Sequence, residues 1–373
     1  MIHLKRRILS LMLCGALLLS MCATGTALEP EEGVDNQPSG NAAETQAGNG
    51  NSDWTICLYM CGSDLESGGS AASIDLMEML RAVQLKGENG TVFPDSVNLL
   101  VMTGGALAWD AEGEVAGYAK EHGLHYLKPG TDRVELFKLT PEKGMERLNS
   151  ELDQWTEKNA GDWKLTNNMA NPDTAKIFGS FAIDRYPAEH MMFAFWDHGG
   201  AFIGGCEVDD NNDSAALSSA SVNTIIDALK ERRGRKLDLV GFDACLMSGL
   251  EMAHVLSDSA DYMIASEEVE PGAGWAYRWL NLFRDGGTAS SRISAADIGK
   301  EIIDQYPFGF AGHDPEHIEA CTGEDNIWNH AGETTLALTD LSKVDGLMGA
   351  FENMAAALRT SPGTTRFQII GRI

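Results

Sequence analysis

Short, continuously apolar runs alternate along this chain with stretches whose apolar residues recur at helical spacing. The runs "WTICLYM" (54–60), "VNLLVM" (97–102), "MMFAFW" (191–196), "LDLVGF" (237–242) and "YMIASEE" (262–268) read as strands, with "TTLALTD" (334–340) as a sixth. Residues 70–85, 142–155, 171–187, 221–232 and 246–256 carry the three-and-four spacing of amphipathic helices, and a further helix is expected over 342–358. Strands that are apolar on both faces and alternate with helices belong to a parallel sheet covered on both sides. The expected fold is α/β, a three-layer sandwich around a mostly parallel sheet.

In open sheets of this class, sites form beyond the carboxyl ends of the strands. The segments that follow the strands here are polar, Gly-rich and reactive: "CGSDLE", "TGGALAWD", "DHGG" and "DAC". Cys245 comes directly after the fourth strand and before a helix expected from Leu246. A thiol at a helix N-terminus meets the positive end of the dipole, which lowers its pKa. His198, after the third strand, is placed to deprotonate that thiol or to protonate a leaving amine. Gly199 and Gly200 leave room for a substrate carbonyl, and the amides of Gly199 and Cys245 are natural oxyanion donors. Taken singly, Cys245 also fits a buried structural cysteine, and His198 a capping or core histidine. Their placement at one edge of the sheet is what favours chemistry.

The blocks "FAFWDHGG" and "LDLVGFDACLMSGLEMAH", in that order, resemble the clostripain family of cysteine peptidases, in the caspase-like clan. "WTICLYMCGSDLE", "YPAEHMMFAFWDHG", "DYMIASEEVEPGAGWAY" (261–277) and "ETTLALTDLSKVDGL" (333–347) extend the resemblance over most of 54–360. It implies a caspase-like sheet and an endopeptidase working by a Cys–His dyad, with Cys245 as nucleophile and His198 as general acid/base. It also implies that Asp243, two residues before the nucleophile, helps form a pocket for a basic P1 side chain. A carboxylate at a pocket base selects Arg or Lys through a charge-assisted contact; the plainer role for Asp243 is a helix N-cap. Glu267 and Glu268 line the same pocket or belong to a solvated loop, and Trp275 and Tyr277 form an aromatic wall or simply pack. Family members commonly mature by cleavage after a basic residue between the histidine and the cysteine. This chain has no Lys or Arg from His198 to Leu229, and the first basic stretch is "KERRGRK" at 230–236. A cut there requires an exposed loop; otherwise the zymogen acts as a single chain or needs another protease.

Of the 373 residues, 43% are apolar, enough for a sizeable core. The net charge of −27, from 28 basic and 55 acidic residues, excludes a nucleic-acid footprint. Peptide or protein substrates with basic residues are the expected partners, and a monomer is expected. "MIHLKRR" followed by "ILSLMLCGALLLSMCA" is a signal peptide, with a cut after Ala27 that takes −27 to −30 by removing three positive charges. The rival is a lipoprotein-type cut that leaves Cys22 as a membrane tether, so the product is secreted or held at the cell surface. Residues 28–53 form an acidic linker too poor in apolar side chains to order itself, and 54–373 the peptidase domain. Five cysteines remain after the signal; Cys206 with Cys321 and Cys57 with Cys61 are conceivable pairs that spacing leaves undecided. "CEVDDNNDS" (206–214) offers Glu207, Asp209, Asp210 and Asp213 as oxygen ligands for Ca²⁺, though without EF-hand spacing; an unliganded acidic loop is the preferred reading, and no cofactor is required. His190, His254, His313 and His317 are assigned to no metal. Two other classes remain open: a catalytically silent surface binding module with the same fold, and a metal-dependent hydrolase using Asp and His at the strand ends.

Overall fold

The computed structural model describes residues 52–87, 89–309 and 334–360. Its strands are β1 (Ser52–Cys61), β2 (Val97–Gly104), β3 (Glu135–Thr140), β4 (Gly144–Arg147), β5 (Ala188–Trp196), β6 (Cys206–Asp209), β7 (Ala215–Leu217), β8 (Leu237–Asp243), β9 (Ala260–Ala265) and β10 (Ala337–Asp340). Eight of them make one sheet in the order β10-β9-β8-β5-β1-β2-β3-β4, while β6 and β7 pair as a separate hairpin. The five central strands, β2 to β9 across the order, are parallel, and the outer pairings with β3, β4 and β10 are antiparallel. The six strands expected from the sequence all exist, and the fold is the mostly parallel α/β sandwich that was expected.

Both faces of the central strands are dry, because successive side chains alternate between two cores. Trp54, Ile56, Leu58 and Met60 of β1 point to one face, with α2 (Ala71–Gln84) and α7 (Ala295–Gly309). Cys57, Tyr59 and Cys61 point to the other, with α3 (Asn149–Asn159), α4 (Pro172–Arg185), α5 (Ser219–Arg233) and α6 (Leu250–Leu256). A short helix, α1 (Ser63–Gly69), follows β1, and α8 (Val344–Thr360) follows β10. The chain runs from β1 to β2 on one side and later returns to β5 on the other side of β1. The loops that leave β1 and β5 therefore diverge, which opens a crevice at the carboxyl edge of the sheet.

Three expectations change. The pattern over 142–155 is not one helix: Gly144–Arg147 pairs with β3, and the helix starts at Asn149. Met145, Leu148, Leu152 and Trp155 keep helical spacing across that junction, which hides it. The helix after the fourth strand starts at Leu250, not Leu246, and Leu246 sits at φ 64. Cys57 and Cys61 lie four residues apart along one strand, and both thiols are free, as are those of Cys206 and Cys245. The signal peptide, the lipid-anchor alternative at Cys22, the linker up to residue 51, Cys321, His313 and His317 lie outside the described residues.

Candidate active site

β5 and β8 are hydrogen-bonded neighbours, with Trp196 opposite Asp243, and the Asp197 amide donates to the Asp243 carbonyl at 3.2 Å. The segments that carry His198 and Cys245 thus leave the sheet side by side at the same edge. Gly199 packs directly on the backbone of Cys245: a Cβ there would lie 2.0 Å from the Cys245 carbonyl oxygen. Only glycine admits that approach.

Cys245 stands five residues before the helix that follows it, so that helix does not start at the thiol. An irregular loop holds it instead, through Leu246 N–H to the Glu268 carbonyl at 3.0 Å and Ser248 N–H to the Ser266 carbonyl at 2.8 Å. The Glu270 amide donates to Cys245 Sγ at 3.3 Å, and the thiol faces the Glu270 carbonyl at 3.8 Å. Burial raises the thiol's pKa; the amides of Glu270, Cys245 and Gly199 pull it down, and the net direction is up. The resting group is a thiol ringed by N–H donors, not a thiolate stabilised by a dipole.

The hydrogen-bond partner of His198 is Asp64, at 2.6 Å from Nε2. Among the described residues, the imidazole makes no hydrogen bond to the Cys245 sulfur. Burial disfavours a charge on His198. The Asp64 bond and the charges of Asp197, Asp64 and Asp210 outweigh it, so its pKa lies above the ordinary 6.5. Asp64 is correspondingly lowered, first by its bond to His198.

Asp243 ends β8 and is not a helix cap. It is 4% exposed and accepts from the Trp275 amide at 3.0 Å and the Tyr277 hydroxyl at 2.9 Å. Gly274, at φ 58, brings its backbone so close that a Cβ would lie 2.7 Å from Asp243 Oδ1. Beside Asp243 lies Glu270, 8% exposed, whose carboxyl faces the Asp243 carboxyl and the Trp275 side chain. Asp75 completes the acidic group: Oδ2 accepts from Trp196 Nε1 at 2.7 Å, and Oδ1 is unpartnered. Among the described residues no Lys, Arg or His pairs with Asp243, Glu270 or Asp75. Burial, chiefly, pushes Asp243 up to about 7 and holds Glu270 and Asp75 well above the carboxylate range.

Trp275 and Tyr277 are fully buried, and Tyr277 contributes its hydroxyl to Asp243. Glu267 and Glu268 are exposed; their amides bond Thr335 Oγ1, so they belong to a solvated loop. The acidic loop does not converge on one point. Glu207 is buried with both oxygens unpartnered. Asp209 accepts from the Met169 and Asn211 amides, while Asp210 bonds Ser214. Among the described residues no three His, Cys, Asp or Glu side chains are grouped to hold a metal ion. The basic stretch 230–236 is only in part an exposed loop: residues 230–233 end a helix, and Gly234 and Arg235 form an exposed turn before β8. Arg232 pairs with Asp184, Arg233 with Asp238 and Arg235 with Glu189, and the helix that carries the first two ends only at Gly234.

Sequence reasoning placed Cys245, His198, Gly199 and Asp243 at this edge but missed Asp64 and Glu270. Asp64 stands in "CGSDLE", a strand-end segment, and the position of β1 beside β5 is what singles it out. Glu270 gives no comparable signal.

The sequence profile of the clostripain family matches residues 58–368. Clostripain of Hathewaya histolytica is 27% identical over 215 residues, 52% of this chain and 40% of that protein, so the chain spans well under half the length of the curated relative it matches. A secreted C11 cysteine protease from Bacteroides thetaiotaomicron, solved with an irreversible peptide inhibitor, superposes with a TM-score of 0.52 at 19% identity over 83% of this chain and 71% of that one. An inactive zymogen C11 protease from Parabacteroides distasonis gives 0.47 at 17% identity, over 84% and 67%. The first of these structures shares the fold, and with the profile covering most of its length, this chain belongs to the clostripain family.

Proposed function

We propose that the chain is an exported cysteine endopeptidase that cleaves after Arg, with Lys second. One observation supports this specificity: Glu270 holds the Cys245 sulfur through its backbone while its side chain sets a second buried carboxyl beside Asp243, with no cationic partner for either among the described residues. Two buried carboxylates with no cation are costly to ionise. A guanidinium or ammonium entering between them supplies the missing charge next to the nucleophile. Arg gains more than Lys because its planar fork meets two carboxylates at once.

In the reaction, the Cys245 thiol passes its proton to His198 and Sγ attacks the carbonyl carbon of the basic residue, forming a C–S bond. The oxyanion faces the amides of Gly199 and Cys245. His198 delivers a proton to the leaving nitrogen as the C–N bond breaks. Water then attacks the thioester, one of its protons passing to the imidazole; the C–S bond breaks, the acid leaves, and the imidazolium returns that proton to the Cys245 sulfur. A raised pKa suits the imidazole to take the thiol's proton and hand it on to the leaving nitrogen, and the N–H groups around Sγ offset part of the cost of the anion. Export through residues 1–27, with release or tethering at Cys22, accords with the description of the Bacteroides relative as secreted.

Fluorogenic peptides ending in Arg, Lys, Gln and Asp, assayed with the full chain and with Cys245→Ala, test this reading. Turnover is expected for Arg above Lys and for neither of the others, and is expected to vanish in the variant. Turnover that survives Cys245→Ala overturns it.

A further inference from the structure

The His198–Asp64 bond joins groups whose segments are 134 residues apart, and it does not stand alone. Ser63, next to Asp64, donates from Oγ to Asp197 Oδ1 at 2.5 Å, and Asp197 is next to His198. Two adjacent residues after β1 thus grip two adjacent residues after β5, across the crevice where the strand order reverses. The grip is anchored from behind: the Val208 amide donates to Asp197, and Ser67 Oγ in α1 accepts from the Leu107 amide at 2.8 Å. Ser63 adopts φ 46, a left-handed conformation that a non-glycine residue takes up only under constraint. The start of α1 is held in place on both sides, and Asp64 projects from it.

Stability alone does not account for the pair. The Asp64 side chain is 62% exposed and that of His198 40% exposed, and such a surface ion pair contributes about 0–1 kcal/mol. Its geometry matters chemically. With Nε2 engaged by Asp64, Nδ1 is the imidazole nitrogen left to exchange protons with substrate. A carboxylate on the far nitrogen fixes ring orientation and tautomer, and it favours the protonated ring.

Resting on the peptidase reading above, we infer that Asp64 is a positioning residue for the reaction: it holds His198 through Nε2 so that Nδ1 serves the leaving group, making the Cys245–His198 dyad a three-membered unit. The carboxylate touches no reacting atom. It acts through the imidazole, as a charge that accompanies each proton transfer and a hinge that keeps the ring in line.

The test uses the full chain as Asp64→Asn, Asp64→Glu and Cys245→Ala, with a P1-Arg peptide followed over pH 5–10 and His198 titrated by ¹H–¹⁵N spectroscopy. Asn keeps an acceptor of the same shape without the charge. It is expected to lower kcat about ten- to a hundredfold with KM unchanged. The alkaline limb of the profile and the His198 titration should both move down by about one unit. Asp64→Glu, which keeps the charge, should recover a large part of both. A purely structural role would instead lower folded fraction without moving the limb. Wild-type kcat and an unshifted His198 titration in Asp64→Asn overturn the inference while Cys245-dependent turnover leaves the peptidase reading intact. Absence of Cys245-dependent turnover in the wild type overturns both.

Discussion

Replacing Asp243 by Asn removes one charge from the buried acidic group and leaves its shape. Its pKa is pushed up to about 7 from 3.8, chiefly by burial, so the native state favours the protonated form. A carboxyl raised on folding contributes stability that is fully present below pH 3.8 and is lost as pH rises through about 7. The shift of about three units corresponds to about 4 kcal/mol, shared with the neighbouring Glu270. Asn escapes that loss but cannot accept from both the Trp275 amide and the Tyr277 hydroxyl as a carboxylate does, a cost of about 1 kcal/mol. Asp243→Asn is therefore expected to be slightly less stable than wild type at pH 4.5 and clearly more stable at pH 8, with the crossing read by thermal melts across that range. Activity should go the other way. Breaking a buried charge pair costs about 3–5 kcal/mol, so kcat/KM for a P1-Arg peptide should fall about 10²- to 10³-fold. The control is the same peptide with citrulline, which keeps the shape of arginine without its charge. Wild type should prefer Arg strongly, and the variant should barely distinguish the two. An Arg-to-citrulline ratio unchanged by the substitution refutes the assignment of Asp243 to the specificity pocket, whatever happens to stability.

Cys245 should be the first of the four described cysteines to react with iodoacetamide, as read by peptide mapping. Cys57, Cys61 and Cys206 are fully buried and their thiols are pushed far up; equal labelling of Cys57 would contradict the burial argument. Gly199→Ala should cut kcat more than a hundredfold and destabilise by about 1–3 kcal/mol, since its Cβ collides with the Cys245 carbonyl oxygen; a variant with wild-type turnover would show that the close approach is dispensable. The segment 230–236 should stay intact on prolonged incubation of active enzyme, because Arg232 and Arg233 are ion-paired at a helix end and Arg235 is paired with Glu189 in the short turn after it; a new terminus within that segment by intact mass would show that it unfolds to be cut.

What the sequence made legible follows from strand periodicity. Continuously apolar runs in the centre of the sheet announce themselves, because both faces are buried and each strand ends in a reactive segment. β3 and β4 were missed because they extend the sheet as short antiparallel strands, and the apolar spacing of β4 merges with that of the helix after it. The helix after Cys245 was placed too early for a related reason. Leu246 and Met247 continue an apolar rhythm, while φ 64 at Leu246 belongs to a turn that periodicity does not encode. The site divides along the same line. Cys245 and His198 follow strands that are neighbours in space, so their meeting was readable from strand ends. Asp64 follows β1, which lies beside β5 only because three intervening strands are laid on the far side of the sheet. Glu270 comes from the loop after β9 and turns back across β8.

The environments in this crevice pull in one direction for a common reason. Burial disfavours charge on the sulfur, on Asp243, on Glu270 and on the imidazole alike, and the protein answers it at only one of these places. At His198 a carboxylate more than offsets the penalty and keeps the proton available. At Cys245 amides reduce it without cancelling it, and at the Asp243–Glu270 pair the Trp275 amide and the Tyr277 hydroxyl likewise fall short of offsetting it. On the specificity proposed above, the carboxyls whose burial is not fully offset are those for which a basic substrate would bring the partner, and the sulfur is the atom that would become an anion once that substrate is in place. On that proposal, selectivity and restraint of Cys245 share one cause: among the described residues the site lacks the cation that a basic substrate would supply.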